Sequence, residues 1–232
     1  MSKGKLFGIG IGPGDPELLT LKAVKTIKGS DVVLAPRKNE TDRSVALQIV
    51  EGAVDLSDKE IITPVFGMAD AEHSFSEYGR RASETVLEYL SKGKNVSFIT
   101  LGDVSIFSTF FYMQEFVKNQ GYEVEVVPGI PSFCAGAAMA GIPLVLGMES
   151  LVVLPSIGDA GKLSDAMGMS DNLVLMKAGR KMKLIASIMG EHHIDLSNAT
   201  VISNVGMDNE YIGPMDVDRT YGYFTTVIVK RN

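Results

Sequence analysis

The chain has 232 residues, 45% of them apolar and 22% charged, which is enough for one large or two small domains with proper cores and too apolar for a disordered chain. Its net charge of −6 argues against a broad nucleic-acid-binding face, and a single cysteine, Cys134, excludes an internal disulfide framework. No apolar run approaches the ~18 residues of a membrane span, and Lys3-Gly4-Lys5 enters a strand without a secretory apolar region, so a cytoplasmic protein with neither nucleic-acid nor membrane partners is expected.

Leu6 to Ile11 fits a buried strand that opens into Gly12-Pro13-Gly14-Asp15-Pro16, a break before the periodic apolar set Leu18, Leu19, Leu21, Ala23, Val24 and Ile27. The pattern predicts strand, tight turn and helix, with Asp15 as cap and Pro16 at the first helical position. Gly10, Gly12 and Gly14 leave the turn almost bare, so a ligand could approach its backbone; a turn that merely packs is the competing reading. A phosphate loop would need a Lys-Ser or Lys-Thr pair where Asp15-Pro16-Glu17 stands. A dinucleotide site would want an acidic residue after the second strand, Asp31 to Ala35, which ends instead in Pro36-Arg37-Lys38.

A helical pattern follows in Val45, Ala46, Ile49 and Val50, then a short strand over Ile61 to Val65, a loop at Phe66 to Asp70 and a helix around Tyr78 to Leu90. Such alternation of strand and helix predicts a largely parallel sheet covered on both faces. The strand Asn95 to Leu101 ends at Gly102-Asp103, with a helix expected from near Ser105 to Asn119. A carboxylate at the carboxyl end of a parallel strand lies where open α/β sheets bind ligands, so Asp103 is a site candidate; capping the next helix is its alternative role.

A fifth strand, Glu123 to Val127, turns at Pro128-Gly129-Ile130-Pro131-Ser132 into a helix of small residues whose Ala135, Gly136, Ala137 and Ala138 suit close packing. Beyond it the pattern changes to strands at Leu151 to Leu154, Asn172 to Met176, Ala199 to Asn204 and Tyr223 to Val229, with helices around Leu163 and Leu184 and a hairpin turn at Gly206 to Glu210. A second α/β domain is expected, dividing the chain into 1–128, with a largely parallel sheet, and 129–232, with a mixed one. His192-His193 lacks the further Cys or His ligands of a metal site and reads as an exposed helix end. No serine triad or glycine-elbow motif stands out.

Gly8 to Ala23, with its G-I-G-P-G-D-P-E-L-L-T-L-K-A, resembles the opening signature of the tetrapyrrole methyltransferases, and later blocks follow in family order across nearly the whole chain. L-G-D-V-S-I-F-S-T-F resembles the second block, although Val104 and Phe107 stand where relatives more often have proline and tyrosine; Pro128 to Phe133 resembles the third. The resemblance implies two α/β domains of the class III methyltransferase type, S-adenosylmethionine as methyl donor in the cleft between them, no bound metal and a homodimer. Carried over by position, the donor contacts are Gly12, Pro13, Gly14, Leu101, Gly102, Asp103, Ile106, Ser108, Thr109, Pro131, Ser132, Met176, Thr225 and Thr226.

P-R-K-N-E-T-D-R-S-V-A-L, T-P-V-F-G-M and P-L-V-L-G-M-E-S-L-V-V-L-P are most similar to the branch that methylates carbon 20 of precorrin-2 or cobalt-factor II. Such acceptors carry many carboxylates, so the basic islands gain a second reading beside solvated surface, with Arg37, Lys38, Arg43, Lys177 and Arg180 as acceptor contacts. Methylation of another ring position or of a diphthamide precursor, and a nucleotide-binding regulatory module without catalysis, remain open on the same fold. A sulfonium donor is already activated, so the absence of an obvious nucleophile is consistent with methyl transfer.

Overall fold

The computed structural model describes residues 3–37, 39–65, 74–155 and 158–231. The chain divides into two compact units, Met1–Pro131 and Ser132–Asn232. In the first, β1 (Leu6–Gly10), β2 (Val32–Leu34), β3 (Glu60–Ile62), β4 (Val96–Thr100) and β5 (Val124–Val127) pair all in parallel in the order β3-β2-β4-β1-β5. Helices α1 (Leu21–Lys28), α2 (Val45–Glu51), α3 (Ser74–Ser91) and α4 (Phe110–Asn119) alternate with them. Parallel strands covered on both faces read as continuous apolar runs, and Val32, Val33 and Leu34 are all fully buried.

Two helix starts differ from expectation. Asp15 caps only a single 3-10 turn, Pro16–Leu18, by accepting the Glu17 N–H; α1 starts later because the Thr20 hydroxyl accepts from Ala23 and caps it anew. After β4, the stretch before Thr109 is irregular and α4 begins only at Phe110. The Phe110 ring is what holds α4 in place: it is fully buried, lies 5.6 Å from the ring of Phe98, and occupies the space that a side chain at Gly8 of β1 would need. The expected loop Phe66 to Asp70 lies outside the described residues.

The second unit opens with α5 (Ser132–Met139) and continues through β6 (Leu151–Pro155), α6 (Ala160–Met169), β7 (Asn172–Met176), α7 (Met182–Glu191), β8 (Ala199–Ser203), β9 (Tyr211–Pro214) and β10 (Thr225–Lys230). Its sheet runs β6-β7-β10-β8-β9, parallel only between β6 and β7 and antiparallel elsewhere. Gly206 to Glu210 closes the β8–β9 hairpin. Gly136 of α5 lies against β8, since a Cβ there would fall 2.5 Å from Ile202 Cγ2, so the buried Ala135, Gly136 and Ala137 serve packing, whereas Ala138, expected to pack with them, faces solvent. Cys134 is half-buried, and burial pushes its thiol up, away from thiolate chemistry. His192 ends α7 with Nε2 2.8 Å from Ser164 Oγ, while His193 is exposed. Among the described residues no helix is long and apolar enough to cross a membrane, and no cluster of His, Cys, Asp or Glu is placed to hold a metal ion.

Candidate functional site

In the first unit, three turns meet at the carboxyl end of the sheet. β1 and β4 are neighbours, and beyond them Gly12 and Gly102 form an antiparallel bridge, with Gly102 N–H donating to Gly12 O at 2.8 Å and Gly12 N–H to Gly102 O at 3.2 Å. Gly12 has φ +79° and Gly102 φ +68°, a backbone that L side chains rarely adopt. The third turn is at Gly129. A side chain there would run into Gly102 O and the Gly10 backbone, and one at Gly10 would fall 2.7 Å from both Gly102 O and Gly129 N. The bareness expected to admit a ligand at Gly10 is therefore used by the chain itself, and the left-handed backbone refuses a side chain at Gly12 whether or not a ligand approaches.

Asp103 joins two of these turns. One carboxylate oxygen accepts the Gly129 N–H at 2.8 Å; the other accepts the Ser105 N–H at 2.8 Å and the Ser105 hydroxyl. Burial pushes this carboxyl up, but the bonds from the Ser105 hydroxyl and the Gly129 and Ser105 N–H groups outweigh it and hold Asp103 below the usual carboxylate range. It caps no α-helix, since α4 starts seven residues later, so the helix-cap role is corrected to a clasp between turns. Of the other candidates here, Pro13 and Gly14 are buried, while Leu101, Ile106, Ser108, Thr109 and Pro131 are half-exposed. Ser108 Oγ accepts from Phe110 N and reaches Thr100 Oγ1 at 3.4 Å.

The strand order also singles out Arg37. The chain leaves β2 for β3 at one edge and leaves β4 toward β5 at the other, so the carboxyl ends of β2 and β4 border the point where connections diverge, the place of ligand crevices in open α/β sheets. Arg37 follows β2; its N–H donates to Pro64 O at 3.0 Å and its Nη1 to Glu40 O at 2.6 Å, while its buried Nε has no partner among the described residues. An orphaned guanidinium N–H suits an incoming carboxylate. Arg43 is instead exposed and paired with Glu51 at 3.5 Å, and Lys38 lies outside the described residues. Arg80 and Arg81 pair with glutamates of their own helix and read as solvated surface.

In the second unit, Met176 at the end of β7 pairs with Thr226 at the start of β10, and Ala178 N–H donates to Thr225 O at 2.9 Å. Thr225 and Thr226 are buried, and the Thr225 hydroxyl bonds Gly222 O and Ser203 Oγ, so its side chain is committed to the fold. Ser132 is the first residue of α5, which packs on β10. Lys177 has φ +58° and Arg180 is exposed; neither forms an ion pair with the described residues. The sequence places a turn at Gly129 but not its bond to Asp103, because the two are 26 residues apart and no local pattern links them.

The model of the family Tetrapyrrole (Corrin/Porphyrin) Methylases matches residues 5–219. A protein of Methanocaldococcus jannaschii named "Probable cobalt-precorrin-2 C(20)-methyltransferase" is 32% identical over 229 residues, 98% of this chain and 96% of that protein. The "Precorrin-2 C(20)-methyltransferase" of a Sinorhizobium species is 29% identical over 236 residues, 97% of this chain and 95% of the relative. Among solved structures, a uroporphyrin-III C-methyltransferase of Thermus thermophilus complexed with S-adenosylhomocysteine superposes with a TM-score of 0.72 at 21% identity, covering 97% of each chain, a likeness of fold. Nearly end-to-end matches of sequence and of architecture agree: the chain belongs to the tetrapyrrole (corrin/porphyrin) methylases.

Proposed function

We propose that this chain transfers a methyl group from S-adenosylmethionine to carbon 20 of precorrin-2 or of its cobalt-bearing counterpart, in corrinoid synthesis. One observation carries the reading: relatives named for this reaction align over 95% or more of both chains. Since the cobalt and metal-free relatives differ by only three percentage points of identity, 32% against 29%, both acceptors stay within the proposal.

The chemistry of the donor set fits this methyl donor. The turns after β1 and β4 carry carboxylates, Asp15 and Asp103, and no cation among Gly10–Leu19 and Leu101–Thr109, which suits a sulfonium and an ammonium better than a phosphate. Bound there, S-adenosylmethionine supplies a methyl already activated by its sulfonium. The residues assigned to hold it in the first unit are Gly12 to Gly14, Leu101 to Asp103, Ile106, Ser108, Thr109 and Pro131. Ser132, Met176, Thr225 and Thr226 are assigned in the second, with Thr225 contributing main chain because its hydroxyl is occupied. What these residues do is position and exclude water. The Gly12–Gly102 bridge and the Asp103 clasp fix the turns before any ligand arrives, so little ordering is left to be done on binding. Arg37, through its unpartnered Nε, with Lys177 and Arg180, which lack carboxylate partners among the described residues, is assigned to the acceptor's carboxylates. We place the enzyme in the cytoplasm as a homodimer, as the family resemblance suggests; sedimentation analysis checks the second point.

The test is incubation with methyl-labelled donor and either metal-free or cobalt-loaded acceptor, locating the methyl by mass spectrometry and NMR. Label at carbon 20 of at least one acceptor is expected. Label at another ring position, or none on any tetrapyrrole, sinks the proposal.

A further inference from the structure

In the second unit the turn before β10 exposes two adjacent aromatic rings. Tyr223 is 44% and Phe224 39% exposed, and they stand edge to face with centroids 5.4 Å apart. Their backbone is not loose. Thr225 Oγ1 donates to Gly222 O at 2.8 Å, Asn204 N–H to Phe224 O at 2.9 Å and Ala178 N–H to Thr225 O at 2.9 Å. Gly179 and Gly222 approach so closely that a side chain on Gly179 would collide with Gly222 O. The rings are thus held out to solvent by a turn with little freedom, an arrangement that forgoes hydrophobic stabilisation until something covers them.

Beside them is a cation in an unfavourable backbone. Lys177 Nζ lies 5.5 Å from the Tyr223 ring centroid, and Lys177 adopts φ +58° although it has neither the bare backbone of glycine nor the short amide of Asn204. Such strain persists where surrounding structure imposes it and clusters at ligand sites. Arg180, on the same segment, is a second cation with no ion pair to a described residue.

Resting on the methyltransferase reading, we propose that Tyr223 and Phe224, flanked by Lys177 and Arg180, form a seat for the tetrapyrrole acceptor. The rings take an apolar face of the macrocycle, and the cations take carboxylates on its rim. Charge complementarity argues for this occupant: in a chain of net charge −6, Lys177 borders the aromatic pair, Arg180 follows Gly179, which lies against Gly222, and neither cation has a carboxylate partner among the described residues.

The experiment compares wild type with Tyr223→Leu/Phe224→Leu, Tyr223→Phe and Lys177→Gln. Binding of uroporphyrin III, a stable carboxylate-rimmed tetrapyrrole, is followed by fluorescence, S-adenosylmethionine binding by calorimetry, and folding by circular dichroism. Loss of both rings is expected to weaken uroporphyrin binding about tenfold, while donor affinity stays within about twofold and Tyr223→Phe binds as wild type does. Lys177→Gln is expected to weaken uroporphyrin binding and flatten its salt dependence. A folded double variant that binds uroporphyrin normally overturns the seat, as does failure of uroporphyrin to bind a wild type that is active with labelled donor. A wild type that methylates no tetrapyrrole instead overturns the reading beneath it.

Discussion

Asp103 shows how one carboxylate links chemistry to stability. Its described partners all donate to it, so Asp103→Asn must turn an amide NH2 toward an N–H or a hydroxyl and leave a part-buried donor unpaired. Equilibrium unfolding is expected to show a loss of about 1–3 kcal/mol at pH 7. Because the folded carboxyl titrates below its unfolded value of about 3.9, its contribution is complete above that pH and disappears as pH falls through the folded value. The gap between wild type and variant should therefore narrow in urea melts below about pH 4; an unchanged gap would show that the clasp owes nothing to the charge. Arg37 makes the opposite demand. Its buried Nε bonds no described residue and its Nη1 makes only an exposed bond to Glu40 O, so Arg37→Met is expected to shift stability by no more than about 1 kcal/mol while raising the acceptor KM severalfold at unchanged donor affinity. Normal acceptor kinetics in that variant would return Arg37 to the surface.

At the scale of elements, two glycines separate packing from site geometry. Gly8→Ala in β1 drives a methyl into the Phe110 ring and pushes α4 from the sheet, an overpacking cost of about 1–3 kcal/mol. Gly129→Ala puts a methyl against Gly102 O and the Gly10 backbone and pries apart the three turns, at a cost of about 2 kcal/mol or more. Both melts should fall. Gly129→Ala is expected to weaken S-adenosylmethionine binding more than Gly8→Ala in calorimetry at a temperature where both variants are folded, since it moves the three-turn junction itself whereas Gly8→Ala reaches the donor residues only through the start of α4. Equal donor affinities would remove the three-turn junction from the donor site.

For the molecule as a whole, the contrast between a net charge of −6 and cations without carboxylate partners among the described residues predicts how binding responds to salt. Raising ionic strength from about 0.1 M to about 1 M shortens the screening length from about 10 Å to about 3 Å, so acceptor affinity should fall at least severalfold. Donor affinity should move less, because most of its proposed contacts are main-chain and apolar and the nearby carboxylates, Asp15 and Asp103, already accept N–H groups of the chain. Parallel titrations of both ligands against sodium chloride check this, and equal responses would remove the distinction between the two sets of contacts.

Much of the fold was legible because the relevant forces are local. Alternating apolar strands and amphipathic helices marked β1, β7 and β8 within a residue or so, the Gly206 to Glu210 turn announced its hairpin, and a largely parallel sheet, in fact wholly parallel, followed from the strand–helix alternation. Gly12, Gly102 and Asp103 could likewise be named from turns at strand ends. The rest depended on what meets what across the sheet. Nothing local says that β4 inserts between β1 and β2, yet that placement bonds Gly12 to Gly102 and sets Arg37 at the divergence of connections. Asp103 looked like a helix cap because Ser105 follows at capping distance, but Gly129 claims its other oxygen, and α4 waits for the Phe110 ring to find Gly8. By itself, then, the sequence determined element types and the residues available for chemistry, which short-range sterics and apolar periodicity control. Only the tertiary structure decided which glycines make room for backbone, which carboxylate oxygens are already occupied and which cations lack carboxylate partners, because those depend on contacts between residues far apart in the chain.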